Sequence, residues 1–366
     1  MSEQADPQEA SAHGRRRRRA SAMRLGLRGI AIAVALFFLP PTDSSSAQHN
    51  AARAPDPPVS ISVAARPIDS FDARDATRRR FGALEFRGGL ELTSPYKNFG
   101  GFSGIRLTPD GERFLAVSDK GRWLSGRLVY RNGRLAGVDD AEMAPVLGPD
   151  GRAITARGWY DTESLADDGA GTVYLGLERV NRILRFDAGR NGFRARGQIV
   201  PAPAEISKLP NNAGLECLAV IPKPLPRAGT LIAISERALD AAGRIKGFLI
   251  GGPSPGAFTV ARHDNFDVTD CVVGPADELY VLERRFSWAA GVAMRVRRVP
   301  LSAVVPGAVL VGKVLITADM GYQIDNMEGI AVHRAKNGET VLTLISDDNF
   351  SFLQRTMLLQ FTVADE

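Results

Sequence analysis

Two cysteines and four histidines among 366 residues leave little material for several kinds of chemistry. Two thiols do not make a disulfide scaffold, although an oxidising compartment would permit a bond between Cys217 and Cys271. No His and Cys group stands at zinc-ligand spacing. Only His263 and His333 fall in the body of the chain, and neither has triad-like neighbours. The stretch from Gly100 to Gly104 fails the Gly-x-Ser-x-Gly spacing of a nucleophile elbow. Helical periodicity is nearly absent after residue 48, which disfavours α/β folds. Outside one apolar stretch near the N terminus there is no long apolar run.

Excess charge is also missing from most of the chain. Seven of the 46 Lys and Arg and four of the 41 Asp and Glu lie in residues 1–47, which leaves 39 against 37, a net +2. Such a body offers no surface for nucleic acid. The basic run Arg15 to Arg19, with Arg24 and Arg28, precedes an apolar stretch from Gly29 to Leu39 and then Ser44 to Ala47. That order is the grammar of an export signal cleaved after Ala47. About a dozen apolar residues fall short of the roughly 20 that span a bilayer, so no stable membrane span is expected after cleavage. An uncleaved anchor would have to extend back to Leu25 across Arg28. The expected location is periplasmic or secreted, by the general or the twin-arginine route. Residues 48–80, rich in Ala, Pro, Asp and Arg, read as a linker in which Val59 to Val63 has the pattern of a short strand.

What the chain does have is a repeat. Five segments, beginning at Phe102, Thr162, Leu215, Thr269 and Met327, line up with second positions Ser103, Glu163, Glu216, Asp270 and Glu328, spaced by 60, 53, 54 and 58 residues. Each is followed by turn residues and by a second strand ending in an acid: Asp119, Glu178, Glu236, Glu283 and Asp347. About four short strands per ~55 residues is the signature of a propeller blade. The reading is an all-β, five-bladed β-propeller over residues 81–366, or six blades if residues 59–99 contribute more. The last unit shows only three strands, and Leu84 to Leu92 can supply its fourth, pairing the two chain ends and closing the ring.

Charge then follows the repeat. A two-residue turn at Asn337-Gly338 puts Glu328 opposite Asp347, and the same counting puts Glu163 near Glu178 and Asp270 near Glu283. Like charges across a strand pair are destabilising and need an offset. One offset is the basic residue after the second acid in four blades: Lys120, Arg179, Arg237 and Arg284. Such pairs staple neighbouring blades, and a ring of them can also hold a substrate anion. The other offset is a divalent cation, since Ca2+ takes roughly six to eight oxygens. The fifth blade has Asp348 in place of the base, so Glu328, Asp347 and Asp348 are the expected metal ligands. The third repeat position is small throughout (Gly104, Ser164, Cys217, Cys271, Gly329), as crowding near an axis requires, and both cysteines are read as packing thiols. Trp123, Trp159 and Trp288 flank hairpin ends, where they either wall the channel mouth or cap blade cores.

Taken together, Gly88 to Leu92, Phe99 to Gly104, Asp161 to Leu165, Asn211 to Glu216, Leu282 to Ser287, Asp325 to Ile330, Ser346 to Phe350 and Gln354 to Thr356 resemble the phytase-like family described as having esterase-like activity. The sequence departs from the expected pattern at Thr162, where alanine is expected, and at Asn212-Ala213, where a basic residue is expected; neither change removes a carboxylate. The resemblance implies an exported propeller and, through its likeness to calcium-dependent propeller phytases, hydrolysis of a phosphate or carboxylate ester. The reading assembled on the repeat is a metal-assisted hydrolase of a small anionic or ester substrate. In it Ca2+ sits on Glu328, Asp347 and Asp348, and Glu163 or Glu216 activates water. Lys120, Arg179, Arg237 and Arg284 bind the substrate. A non-catalytic periplasmic propeller that binds a ligand or partner, and a lactonase, are the competing readings. Expressed in a host with an export pathway, the chain should be recovered outside the cytoplasm with Gln48 as its first residue. Intact mass and N-terminal sequencing check this, and a retained leader would refute it.

Overall fold

Short strands with alternating burial, separated by turns, can bury their apolar faces only against other sheets. The computed structural model describes residues 55–364, and within them five sheets, antiparallel except for one short parallel edge pair between Gly256–Val260 and Val309–Leu310, stand around an axis. The expected signal segment lies outside the described residues. Among those residues no helix is long and apolar enough to cross a membrane. The inner strands are Phe102–Leu107, Thr162–Asp167, Leu215–Val220, Asp267–Gly274 and Asn326–Arg334, one for each repeat. Blade one continues outward through Arg113–Ser118, Arg122–Arg131 and Arg134–Pro145. Blade four does so through Glu278–Ser287, Gly291–Pro300 and Lys313–Asp319. Five apolar clusters fill the five gaps between neighbouring blades.

Closure occurs as expected. Leu84–Thr93 pairs antiparallel with Thr356–Val363, from Thr356 opposite Leu92 to Val363 opposite Leu84. The segment read as a linker takes a larger part than its composition suggests. Ala64–Ile68 adds an outermost strand to blade five, and Val59–Ser60 pairs with the outer strand of blade one. Pro67 hides the first of these from a sequence reading, yet an edge strand tolerates proline. Phe71, fully buried, follows it and meets Phe81, Phe86, Tyr322 and Phe361 at ring-centroid distances of 4.9 to 5.6 Å.

The register of the last hairpin differs from the sequence reading. Gly338, at φ +88°, completes a three-residue loop of Lys336, Asn337 and Gly338, so Arg334 faces Thr340. A β-bulge at Glu328 then shifts the pairing again, and Asp347 faces Asn326 rather than Glu328. All five inner strands carry such a bulge. The extra residue is Ser103, Glu163, Glu216, Thr269 and Glu328 in turn. Bulges re-aim side chains and bend the strand, and here they turn three glutamates toward one end of the axis.

The two cysteines are bonded to each other, which corrects their reading as separate packing thiols. Equivalent positions on adjacent inner strands bring their Cα atoms to 5.1 Å, within disulfide reach. By the chain-entropy account, closing a loop across their separation of 54 residues contributes on the order of 4 kcal/mol.

A second tie crosses the axis itself. Arg106, on the inner strand of blade one, donates to both carboxylate oxygens of Asp270 in blade four, at 2.8 and 2.9 Å. Its guanidinium also donates to the carbonyls of Leu218, Cys271 and Ile330, each at 2.9 Å. Asp270 in turn accepts the N–H groups of Cys271 and Ile330. Burial pushes the Asp270 carboxyl up, with Arg106 opposing, to about 6, so at neutral pH the group is a carboxylate. Removing one partner of a buried pair leaves an uncompensated charge, typically about 3–5 kcal/mol. Arg106→Ala and Asp270→Asn should each lose that much in urea titration, and the double variant Arg106→Met/Asp270→Leu should recover part of it. A loss below about 1 kcal/mol in both single variants would show that the ring does not depend on this pair.

Candidate active site

The bulged glutamates and the acids that end the second strands converge on a cavity of about 660 Å³ at one end of the axis. Nine carboxylates line it: Asp119, Asp161, Glu163, Glu178, Glu216, Glu236, Asp325, Glu328 and Asp347. Arg237 and Arg284 are its lining cations. Both are engaged. Arg237 lies 3.3 Å from Glu236 and 3.9 Å from Asp267, and Arg284 lies 3.1 Å from Glu328 and 3.8 Å from Glu236. The blade-four acid is absent from the cup because Glu283 turns aside to the buried Arg297, and Asp270 belongs to the tie across the axis.

Crowded carboxylates out of water favour the protonated form. Burial, reinforced by Glu328, Glu178 and Asp119, holds the Glu163 carboxyl well above the usual range, against a hydrogen bond from Ser103. Burial, reinforced by Glu163, Glu328, Glu236 and Glu178, does the same to Glu216. Glu236 is pushed up to about 7 because burial outweighs Arg237 and Arg284. Asp347 also reaches about 7, through burial and the charges of Glu328, Asp119 and Asp348, against an N–H bond from Asn349. Burial raises Glu328 as well, with Arg284 opposing.

Three of these acids make a compact set. Glu178, Glu216 and Glu236 each place one carboxylate oxygen within 4.8 Å of the others, and all three are buried. Gly214 permits the arrangement. Its N–H donates to Glu178 Oε1 at 2.9 Å, and a Cβ there would fall 2.5 Å from Glu178 Cγ. Hard oxygen donors clustered away from water suit a divalent cation, so a buried glutamate trio that can bind a metal ion is a property of the site.

The predicted residues divide accordingly. Glu163, Glu216, Glu328, Asp347, Arg237 and Arg284 come together in the cup. Asp348 does not. It accepts the N–H groups of Gly101 and Phe350 and the Thr356 hydroxyl, each at 3.0 Å, bracing a blade-one loop against blade five. Lys120 is drawn off over the Phe350 ring, 2.9 Å from its centroid, and Arg179 over Tyr160, at 4.2 Å. Nor is blade five without a base, since Arg284 reaches Glu328 from blade four. The sequence reading noted Glu178 and Glu236 as strand-ending acids without assigning them a metal. Their recurrence at one repeat position was the available signal. Of the tryptophans, Trp123 is buried against Phe186, Trp159 packs under Arg157 and Arg182, and Trp288 is exposed.

Fold and site together define a five-bladed propeller with an acidic cup at one end of its axis. The sequence matches the phytase-like family, described as esterase-like activity of phytase, over residues 97–350, and the chain belongs to that family. No curated protein matches it. Among solved structures, the nidogen/laminin complex is 11% identical with a TM-score of 0.38, covering 72% of this chain and 87% of that one. The WD40 repeats of RRP9 are 11% identical at a TM-score of 0.35, covering 73% and 82%. A putative oxidoreductase (glucose dehydrogenase) of Thermus thermophilus is 14% identical at 0.31, covering 81% and 100%. At these scores none bears on function.

The raised carboxyls make stability depend on pH. A carboxyl whose folded value exceeds its unfolded value keeps a proton in the native state that the unfolded chain has released, so stability falls as pH rises between the two. With Glu236 and Asp347 each raised to about 7, the window runs from about pH 4 to about pH 7, and the raised Glu163 and Glu216 act in the same direction. In EDTA the melting midpoint should be higher at pH 5.5 than at pH 8. A midpoint that rises across that interval would contradict the crowding described for the cup.

Proposed function

We propose that the chain is a metal-assisted hydrolase of phosphate or carboxylate esters, with Glu178, Glu216 and Glu236 holding a divalent cation such as Ca2+. The observation that carries this reading is the convergence of nine carboxylates against two already paired arginines in one cavity, with three glutamate oxygens within 4.8 Å. Bound there, the ion would balance negative charge and polarise the ester oxygen. Glu216, expected from the sequence to activate water, moves into the cation set, while Glu328 and Asp347 keep a place in the cup.

Glu163 sits on the bulged inner strand of blade two, where burial and neighbouring acids keep its proton. That suits it to protonate the leaving oxygen. Asp347, near 7, can take a proton from the attacking water. In the step as a whole, water oxygen joins the acyl carbon or phosphorus and the bond to the alkoxide breaks. The alkoxide receives the Glu163 proton, and Asp347 takes the proton that water gives up. Arg237 and Arg284 keep Glu236 and Glu328 oriented through their ion pairs. The cup equally suits a propeller that holds a cation and a ligand without turnover.

Thermal unfolding of residues 48–366 in millimolar Ca2+ and in EDTA separates these readings. An ion at one hundred times its Kd adds about 2.7 kcal/mol by mass action and raises the midpoint. Glu216→Gln should lose that shift together with turnover on phosphomonoesters, lactones and 4-nitrophenyl esters. Glu163→Gln should keep the shift and lose turnover by about 100-fold or more. No shift in the wild type would sink the cation site, and a shift without turnover would leave a binding protein.

A further inference from the structure

One side of the cup's mouth is apolar. Phe286, Met320 and Leu353 line the same cavity as the carboxylates, yet they are 53, 55 and 78% exposed. Phe286 is the cross-strand partner of Val292 in blade four, and Ser287 that of Gly291. Met320 Cγ lies 3.0 Å from the point where a Gly291 Cβ would sit. Phe286, Val292, Gly291 and Met320 therefore form one continuous wall, and Leu353 of the blade-five loop lines the same cavity. Trp288, 97% exposed, extends it outward, edge-on to Phe286 at 5.3 Å. Single exposed apolar side chains need no explanation, but a run of them converging on one cavity marks a binding surface.

We propose that the substrate carries an apolar arm, an acyl chain or an aromatic ring, which lies along Phe286, Met320 and Leu353 while its ester end enters among the carboxylates. The inference rests on the hydrolase reading and narrows its substrate class. The wall lines the same cavity as the carboxylates, so a ligand seated among them has it within reach. The charge balance points the same way. Both lining arginines are committed to carboxylates, so an inositol polyphosphate would meet repulsion that one bound cation does not offset. A neutral ester with an apolar end meets none. Each methylene buried against the wall is worth up to about a fourfold gain in kcat/KM.

The test compares 4-nitrophenyl acetate, 4-nitrophenyl octanoate and inositol hexakisphosphate as substrates for the wild type and for Phe286→Ser/Leu353→Ser, all with Ca2+. The proposal expects kcat/KM at least tenfold higher for octanoate than for acetate in the wild type. It expects that ratio to fall toward one in the double variant, with no phosphate released from the polyphosphate. The ratio is internally controlled, because partial unfolding lowers both esters alike. Equal rates for the two esters, a ratio unchanged in the variant, or preferred turnover of the polyphosphate would overturn the apolar arm while leaving a hydrolase. If no ester or phosphate is hydrolysed, the hydrolase reading fails and binding decides. Octanamide, but not acetamide, should then blue-shift the tryptophan emission of the wild type and not that of Trp288→Phe, and no shift would overturn the proposal. Sedimentation with phosphatidylcholine vesicles without any chain-length effect would assign the wall to a membrane surface, and so would also overturn it.

Discussion

At the centre of this ring one buried ion pair ties four of the five blades together. The Arg106 guanidinium reaches Asp270 and three backbone carbonyls, and so connects blades one, three, four and five at the axis. A propeller otherwise relies on apolar contacts between blade faces, which are strong but weakly directional. The pair adds direction, since a planar fork meeting a carboxylate has one good geometry. Around the axis, burial of the carboxyls beside one another is what raises their proton affinity.

The cup itself is a managed conflict. Stability alone would not bury this many acids together, and two arginines relieve only part of the repulsion. The inner-strand bulges make the conflict structural rather than accidental. In blades two, three and five the extra residue is a glutamate, and each bulge aims it at the same cavity. Local rules broken in concert at one place, within a fold that otherwise obeys them, are what a functional site looks like.

Much of the fold was legible in the sequence because the repeat is regular and its strands are short, alternating and bounded by turns. The five blades and the pairing of Leu84–Thr93 with the C-terminal strand follow from that pattern. What escaped were departures of a single residue. A three-residue loop where two were counted, and bulges invisible to alternation, moved Asp347 away from Glu328. Asp348 follows Asp347 directly, yet it braces a loop, because the strand ends at Asp347 and Asp348 opens the turn that follows. Arg106 had a readable signal. It is the one charged residue in a repeat position otherwise held by Ala166, Ala219, Val273 and Ala331. Nothing local marks Asp270 as its partner, since 164 positions separate them.

The bond between Cys217 and Cys271 joins residues that each follow an acid of consequence, Glu216 in the cup and Asp270 at the axis. A covalent link between those two strands fixes the spacing of one glutamate of the trio relative to the ion pair at the axis. The geometry of the cup thus carries a memory of the compartment in which the chain folded. A chain that matured among reductants would have the same sequence and the same blades, but it would hold its acids on a looser frame.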